Sequence, residues 1–170
     1  LDEPSPLSNP GRVSVSLTLA SIVLSTLAAL QAPTYRFVNR QQWTGQNHLV
    51  IFGKLKSLVD SWKPQHIVID ATGVGEGLWA MLDRQFSSRV IPVKFTRQEK
   101  SEIGWRFLSI IETGRFRDHC HTDEVRLQYS KWIYEVLPGP EKTLRWGVPA
   151  GELIHDDFIL ADSLVAKLDQ

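Results

Sequence analysis

The chain has 170 residues, with 42% hydrophobic and 22% charged side chains, the usage of one ordinary globular domain and not of a disordered, collagenous or coiled-coil segment. Nineteen basic residues balance nineteen acidic ones, so any hold on nucleic acid must come from a local patch and not from the global field. Cys120 is the single cysteine, which excludes an internal disulfide framework and a cysteine-rich zinc site and fits a reduced, cytoplasmic setting.

Residues 1–12 carry Pro4, Pro6, Pro10 and Gly11 and read as an irregular loop. Their acidic, Pro-rich start is unlike a signal peptide. Val13 to Leu30 holds no charge and is long enough to span a bilayer. Six of its 18 residues are Ser or Thr, however, and Val13, Val15, Leu17 and Leu19 alternate with smaller or polar residues. Period two predicts a half-buried strand over about 13–24, not a membrane helix. Tyr35–Arg40 then completes an antiparallel pair, with Pro33 in the preceding turn. A helix is expected from Gly45-Gln46-Asn47 to about Trp62, stopped by Lys63-Pro64.

His66-Ile67-Val68-Ile69-Asp70 reads as a strand buried on both faces. A glycine-rich loop, a helix from about Glu76 to Phe86 and a strand over Val90–Phe95 follow. This strand–helix–strand order predicts an α/β fold with parallel pairing. Further helices are expected over Lys100–Thr113, ending at Gly114, and over Asp123 to about Val136. Pro138-Gly139-Pro140 breaks the chain, Leu144–Val148 can form a short strand, and Asp156–Leu168 forms a closing helix.

Asp70 is the first candidate for chemistry. It ends a predicted strand, and sites in open α/β sheets collect beyond the carboxyl ends of strands. The competing reading is an Asx turn, in which the side chain merely bonds nearby backbone. Gly73, Gly75 and Gly77 complete neither a dinucleotide fingerprint nor a P-loop, and Glu76 suits the first turn of a helix.

His155-Asp156-Asp157 is the second candidate. One acid can cap the helix that follows, but capping does not account for two adjacent, mutually repelling carboxylates. A hard divalent cation such as Mg²⁺ or Mn²⁺ does. Asp162 falls on the polar face and reads as solvated. From Arg84 to Arg117, eight Lys or Arg face three Glu, and within that basic stretch Lys94, Arg97 and Lys100 suit phosphate. The tryptophans Trp43, Trp79, Trp105, Trp132 and Trp146 read as core or half-buried. The histidines form no metal-spaced pair.

Taken together, HIVIDATGVGEGL (66–78), VIPVKFTRQEK (90–100), IIETGRF (110–116) and HDDFILADSL (155–164), with Gln42-Trp43-Thr44-Gly45 before the first helix, resemble the C-terminal nuclease domain of phage terminase large subunits. The resemblance runs from about residue 11 onward. It implies an RNase H-like fold, with a central mixed sheet of antiparallel leading strands and then parallel ones, and helices on both sides. It also implies an endonuclease that cuts concatemeric phage DNA during packaging. Asp70, Asp156 and Asp157 match acids that hold two divalent metals (Mg²⁺ or Mn²⁺), which lie about 3.5–4 Å apart in such sites. His155 belongs to the same motif as a supporting residue.

The family places a further acid on its first strand. Here Asp2 is either that acid or a loop acid beyond it, in which case the ligand lies upstream of residue 1. The resemblance further implies residues 1–170 as a single nuclease domain without the ATPase motor. Its expected partners are double-stranded DNA, that motor, the portal and the small terminase subunit, in the host cytoplasm, with no membrane role. Two alternatives share or relax the fold: a junction resolvase or RNA–DNA hybrid nuclease, and a catalytically incomplete module that binds DNA or the motor.

Overall fold

The computed structural model describes residues 14–23, 32–151 and 154–169. Asp2 and the 1–12 loop therefore lie outside the described residues.

Strand β1 (Ser14–Val23) pairs antiparallel with β2 (Thr34–Thr44), from Ser14 opposite Thr44 to Val23 opposite Thr34, with an irregularity between Leu19 and Ala20. The expected pair is present, and β2 runs longer than its hydrophobic core. Alternation is clean at its start, where Tyr35 and Phe37 are buried and Arg36 and Val38 exposed, as the pleat requires. A strand that sequence patterning missed, β5 (Phe116–Asp118), joins β2 in parallel. It is too short for a periodic signal.

Helix α1 (His48–Trp62) begins where the Asn47 side chain accepts the Val50 N–H and ends at Lys63 in the left-handed region, φ 48°. Ile51, Leu55 and Val59, four apart, form its buried stripe, the spacing of one helix face. Helix α2 (Gly75–Phe86) repeats the pattern with Leu78, Leu82 and Phe86. Between them, β3 (Ile67–Asp70) pairs in parallel with β4 (Val90–Val93).

The β3–β4 ladder partitions the interior. Val68 and Val93 pack with Tyr35, Phe37, Phe107 and Ile159, while Ile67, Ile69 and Val90 pack against α1 and α2. Both faces of β3 are covered, as expected; among the described residues the ladder has two strands, and Ile67, Val68 and Ile69 stay half-buried while Asp70 is exposed.

Helix α3 (Arg97–Glu112) starts three residues earlier than the sequence suggested, because the Thr96 hydroxyl caps it by accepting the Glu99 N–H. Helix α4 (Asp123–Lys131) is capped by Thr122. It stops five residues short of the expected Val136. Ile133, Tyr134 and Val136 are β-formers, and they pair instead as β6 (Ile133–Val136) with β7 (Leu144–Gly147) across the Pro138-Gly139-Pro140 break. The closing helix α5 (Asp157–Ser163) tightens into a 3₁₀ turn over Leu164–Lys167 and packs against β1 and α4. Among the described residues the ladders are β1-β2-β5, β3-β4 and β6-β7, a mixed antiparallel and parallel α/β arrangement. Trp146 is buried and Trp43, Trp79 and Trp132 are half-buried. Trp105 departs from expectation: it is exposed, and its indole N–H reaches the Lys142 carbonyl.

Asp162 is the clearest correction. It is fully buried, not solvated. The Arg40 guanidinium, itself 2% exposed, donates Nε to its Oδ1 at 3.2 Å and Nη2 to its Oδ2 at 2.7 Å. The Tyr129 hydroxyl donates to the same Oδ2 at 2.8 Å. Arg40 Nη1 also reaches Asp118 Oδ1 at 2.7 Å and Cys120 Sγ at 3.2 Å. The helical wheel of α5 alone showed a polar residue among polar neighbours. The compensating charge lies 122 residues earlier in the chain.

A second network joins Arg115, Asp169 and Tyr35. Burial alone would raise the Asp118 and Asp169 carboxyls. The hydrogen bonds and charges of Arg40 and of Arg115 override it and hold both below the ordinary value of 3.8. Depressed carboxylates stabilise the fold at pH values above their unfolded range, and that stability disappears as pH falls through the folded value. Thermal melts from pH 7 to pH 2 should therefore show the melting temperature dropping as pH falls below about 4. Arg40→Met should cost about 3–5 kcal/mol in denaturant unfolding, since it strands the buried Asp162 without its counter-charge.

Candidate active site

Asp70 is the last residue of β3 and is solvent-exposed. Its Oδ1 accepts the Thr72 N–H at 2.8 Å. The Asx turn is therefore real, but it occupies one carboxylate oxygen. Among the described residues no hydrogen-bond donor reaches Oδ2. The loop beyond it is tightly drawn: a Cβ at Gly75 would overlap the Asp70 carbonyl oxygen, so only glycine admits this turn into α2. Thr72 Oγ1 in turn accepts the Phe95 N–H at 2.8 Å, and Ala71 N–H bonds the Val93 carbonyl at 2.7 Å. The Asp70 loop is thereby stitched to residues 93–95, directly before α3.

The second acid motif lies against β7, Lys100 of α3 and β2. Asp156 occupies the N-cap position of α5 yet makes no side-chain cap bond. The cap comes from α4, where the Gln128 side chain, 2% exposed, accepts the Phe158 N–H through Oε1 at 3.0 Å. Asp156 is therefore not used to cap the helix it opens. Asp156 turns toward β7 and α3: a Cβ at Gly147 would lie 2.9 Å from Asp156 Oδ2 and 3.8 Å from Lys100 Nζ. Asp157 turns toward β2, where Gln42 Nε2 donates to its Oδ2 at 3.1 Å.

The loop of Asp70 is thus bonded to residues 93–95, before α3, and Asp156 lies near Lys100, within α3. His155 is exposed next to the pair. Of the basic candidates, Lys94 is exposed and pairs with Glu76 at 3.1 Å. Arg97 is exposed in the first turn of α3. Lys100 lies half-buried, with its ammonium 5.0 Å from the Trp146 ring centroid.

Carboxylate oxygens are hard donors suited to Mg²⁺ or Mn²⁺, and Asp70 and Asp156 offer oxygens that structural bonds leave open. Among the described residues, however, no group of three or more His, Cys, Asp or Glu is close enough to hold an ion. The donor chemistry fits a divalent cation, and a closed ligand set does not come from these residues alone. Gln42, Gln128 and Gly147 were not singled out from sequence as site residues. Gln42 lies in the quoted QWTG stretch, whereas nothing local marks Gln128 or Gly147, whose roles depend on contacts across the fold.

If Gln128 and not Asp156 caps α5, the two substitutions separate in thermal melts. Gln128→Leu should destabilise the chain by about 1–3 kcal/mol, because it orphans a buried N–H. Asp156→Asn should stay within about 0.5 kcal/mol of the parent.

A family model described as Terminase RNaseH-like domain matches residues 19–163. The chain is 27% identical over 97 residues to the "Probable terminase, ATPase subunit" of Haemophilus phage HP1 (strain HP1c1), a match covering 56% of this chain and 16% of that protein. The chain therefore spans a small part of that curated relative. Among solved structures it is similar to the large terminase nuclease from thermophilic phage G20c, with TM-score 0.61 and 14% identity over 91% of this chain and 83% of that one. The same nuclease with bound magnesium gives TM-score 0.60 and 15% identity over 94% and 82% of the two chains. The large terminase nuclease domain of Thermus phage P74-26 gives 0.56 and 13% over 89% and 77%. At these identities the structural likeness is one of fold, and that fold is RNase H-like.

Proposed function

The chain belongs to the terminase RNaseH-like domain family, and we propose that it is a metal-dependent endonuclease that cuts double-stranded DNA during phage genome packaging. In this reading residues 1–170 form one nuclease domain, which works with an ATPase motor, the portal and the small terminase subunit in the host cytoplasm. The relative from phage HP1 is named an ATPase subunit. The G20c nuclease has been solved with cobalt, magnesium and zinc.

One observation carries the proposal beyond family membership. Asp156 opens α5 without capping it, beside Asp157, and Asp70 stands at a strand end whose loop is bonded to residues 93–95, just before α3. Acids placed at a strand end and side by side at a helix start repel one another, and a cation offsets that repulsion. Asp70, Asp156 and Asp157 would hold the metal, together with Asp2 or another acid outside the described residues. Bound Mg²⁺ or Mn²⁺ would supply a nucleophilic water and neutralise charge on the phosphate.

The chain's own residues do the rest. Gln42 fixes the Asp157 carboxylate, and Thr72 fixes that of Asp70. Hydrolysis forms a bond from a water oxygen to phosphorus and breaks one phosphate ester bond. Water loses a proton to solvent, and the leaving oxygen gains one. Lys94, Arg97 and Lys100 meet the phosphate backbone, with no reading of base sequence, and binding through them weakens with salt.

A second reading is a module that binds DNA without cutting. The lack of a closed ligand group among the described residues is what favours it. Supercoiled plasmid separates the two. With Mn²⁺ the chain should nick and linearise plasmid, EDTA should stop it, and Asp70→Asn should reduce cutting at least about 100-fold without loss of fold. Cutting by Asp70→Asn at the parent rate would refute the site. DNA binding with no cutting would favour the binding module. In the same assay, duplex DNA should be cut in preference to an RNA–DNA hybrid or a four-way junction. Lys94→Gln with Arg97→Gln should flatten the dependence of DNA binding on salt, by a slope of about 2 on a log–log plot.

A further inference from the structure

We propose that Lys100 is the residue that positions the scissile phosphate, a role distinct from general contact with the DNA backbone. This rests on the nuclease reading above. Lysine side chains are ordinarily mobile, and holding one costs rotamer entropy. Lys100 is held at both ends by a single indole. Trp146 Nε1 donates to the Lys100 carbonyl at 2.6 Å, and the Lys100 ammonium lies 5.0 Å from the Trp146 ring centroid. The indole comes this close because α3 has no side chain at Gly104, where a Cβ would overlap Trp146.

The ammonium lies close to Gly147, where the absence of a side chain lets the Asp156 carboxylate come in. A Cβ there would lie 2.9 Å from Asp156 Oδ2 and 3.8 Å from Lys100 Nζ. An acid of the proposed cutting site and a held cation therefore both lie against Gly147. Lys56, Lys94 and Lys167 are each tied to a carboxylate. Lys100, among the described residues, forms no ion pair.

Charge supplies the reason for such a placement. Asp70, Asp156 and Asp157 together repel a phosphate diester. A fixed ammonium beside Asp156 offsets that repulsion where the anion must approach. It also opposes the negative charge that builds on the non-bridging oxygens as the water oxygen bonds to phosphorus. Donors held in place before reaction contribute most to such steps. Lys94 and Arg97 are exposed on the approach to α3 and suit the flanking phosphates.

The test measures cutting of duplex DNA with Mn²⁺ across DNA concentrations, for the parent chain, Lys100→Met, Lys100→Arg and Lys56→Gln. Methionine keeps an apolar stem over Trp146 and removes only the charge. Its rate at saturating DNA should fall about 100-fold, with the half-saturating DNA concentration within about threefold of the parent. Arginine should restore part of that rate, and Lys56→Gln, exposed on α1, should cut like the parent. Thermal melts of each variant check the fold. A parent-like saturating rate for Lys100→Met overturns the inference, as does a loss confined to the half-saturating concentration. A parent chain that does not cut overturns the nuclease reading and this inference with it, whereas a cutting parent beside an unaffected Lys100→Met overturns this inference alone.

Discussion

The buried Arg40–Asp162 pair is the constraint on which the placement of the site depends. Arg40 comes from β2 and Asp162 from α5, and Tyr129 of α4 and Asp118 of β5 complete the set. Two charges are taken out of water here, at a cost of several kcal/mol each, and are matched by a fork of guanidinium hydrogen bonds. An apolar contact tolerates sliding, whereas this one does not. It sets the rotation of α5 about its own axis. One and a half turns earlier on the same helix, Asp157 then meets Gln42 of β2, two residues beyond Arg40. A structural acid and a functional acid are held in register by the same pair of elements.

A second theme is that structural duties are taken away from the candidate functional groups. Gln128 caps α5, so Asp156 at its start is not used as a cap. Thr72 and the tight turn at Gly75 fix the Asp70 loop through one carboxylate oxygen only. Trp146 holds Lys100 through its carbonyl and ring. Each arrangement spends a hydrogen bond on orientation and leaves charge available to a ligand, the condition for a preorganised site.

The parts of this fold that were legible in sequence are those fixed by local chemistry. Asn47 and Lys63-Pro64 bracket an apolar helical run, and Gly73–Gly77 follows a short β-branched run; within that helix the core face is taken by Ile51, Leu55 and Val59 while Leu49 and Val50 are exposed. Asp70, Asp156 and Asp157 were visible because acids at a strand end and at a helix start are unusual in number or place. The unreadable parts depend on distant partners. Asp162 looks solvated until Arg40 is brought to it. Residues 133–136 carry β-formers directly after a helical run, and pairing with β7 is what realises the strand. Gln128 resembles any surface glutamine until Phe158 N–H arrives. Period and propensity report what a segment prefers, and tertiary pairing decides which preference is realised.

Divalent-metal binding tests the central claim most directly, because it does not require that the chain also cut. Mn²⁺ titrated calorimetrically into the parent chain should bind, and Asp70→Asn and Asp157→Asn should each weaken that binding at least about tenfold while melting like the parent. Mn²⁺ binding that is unchanged in both variants would contradict the account, since the carboxylates at the end of β3 and the start of α5 would then not form the site.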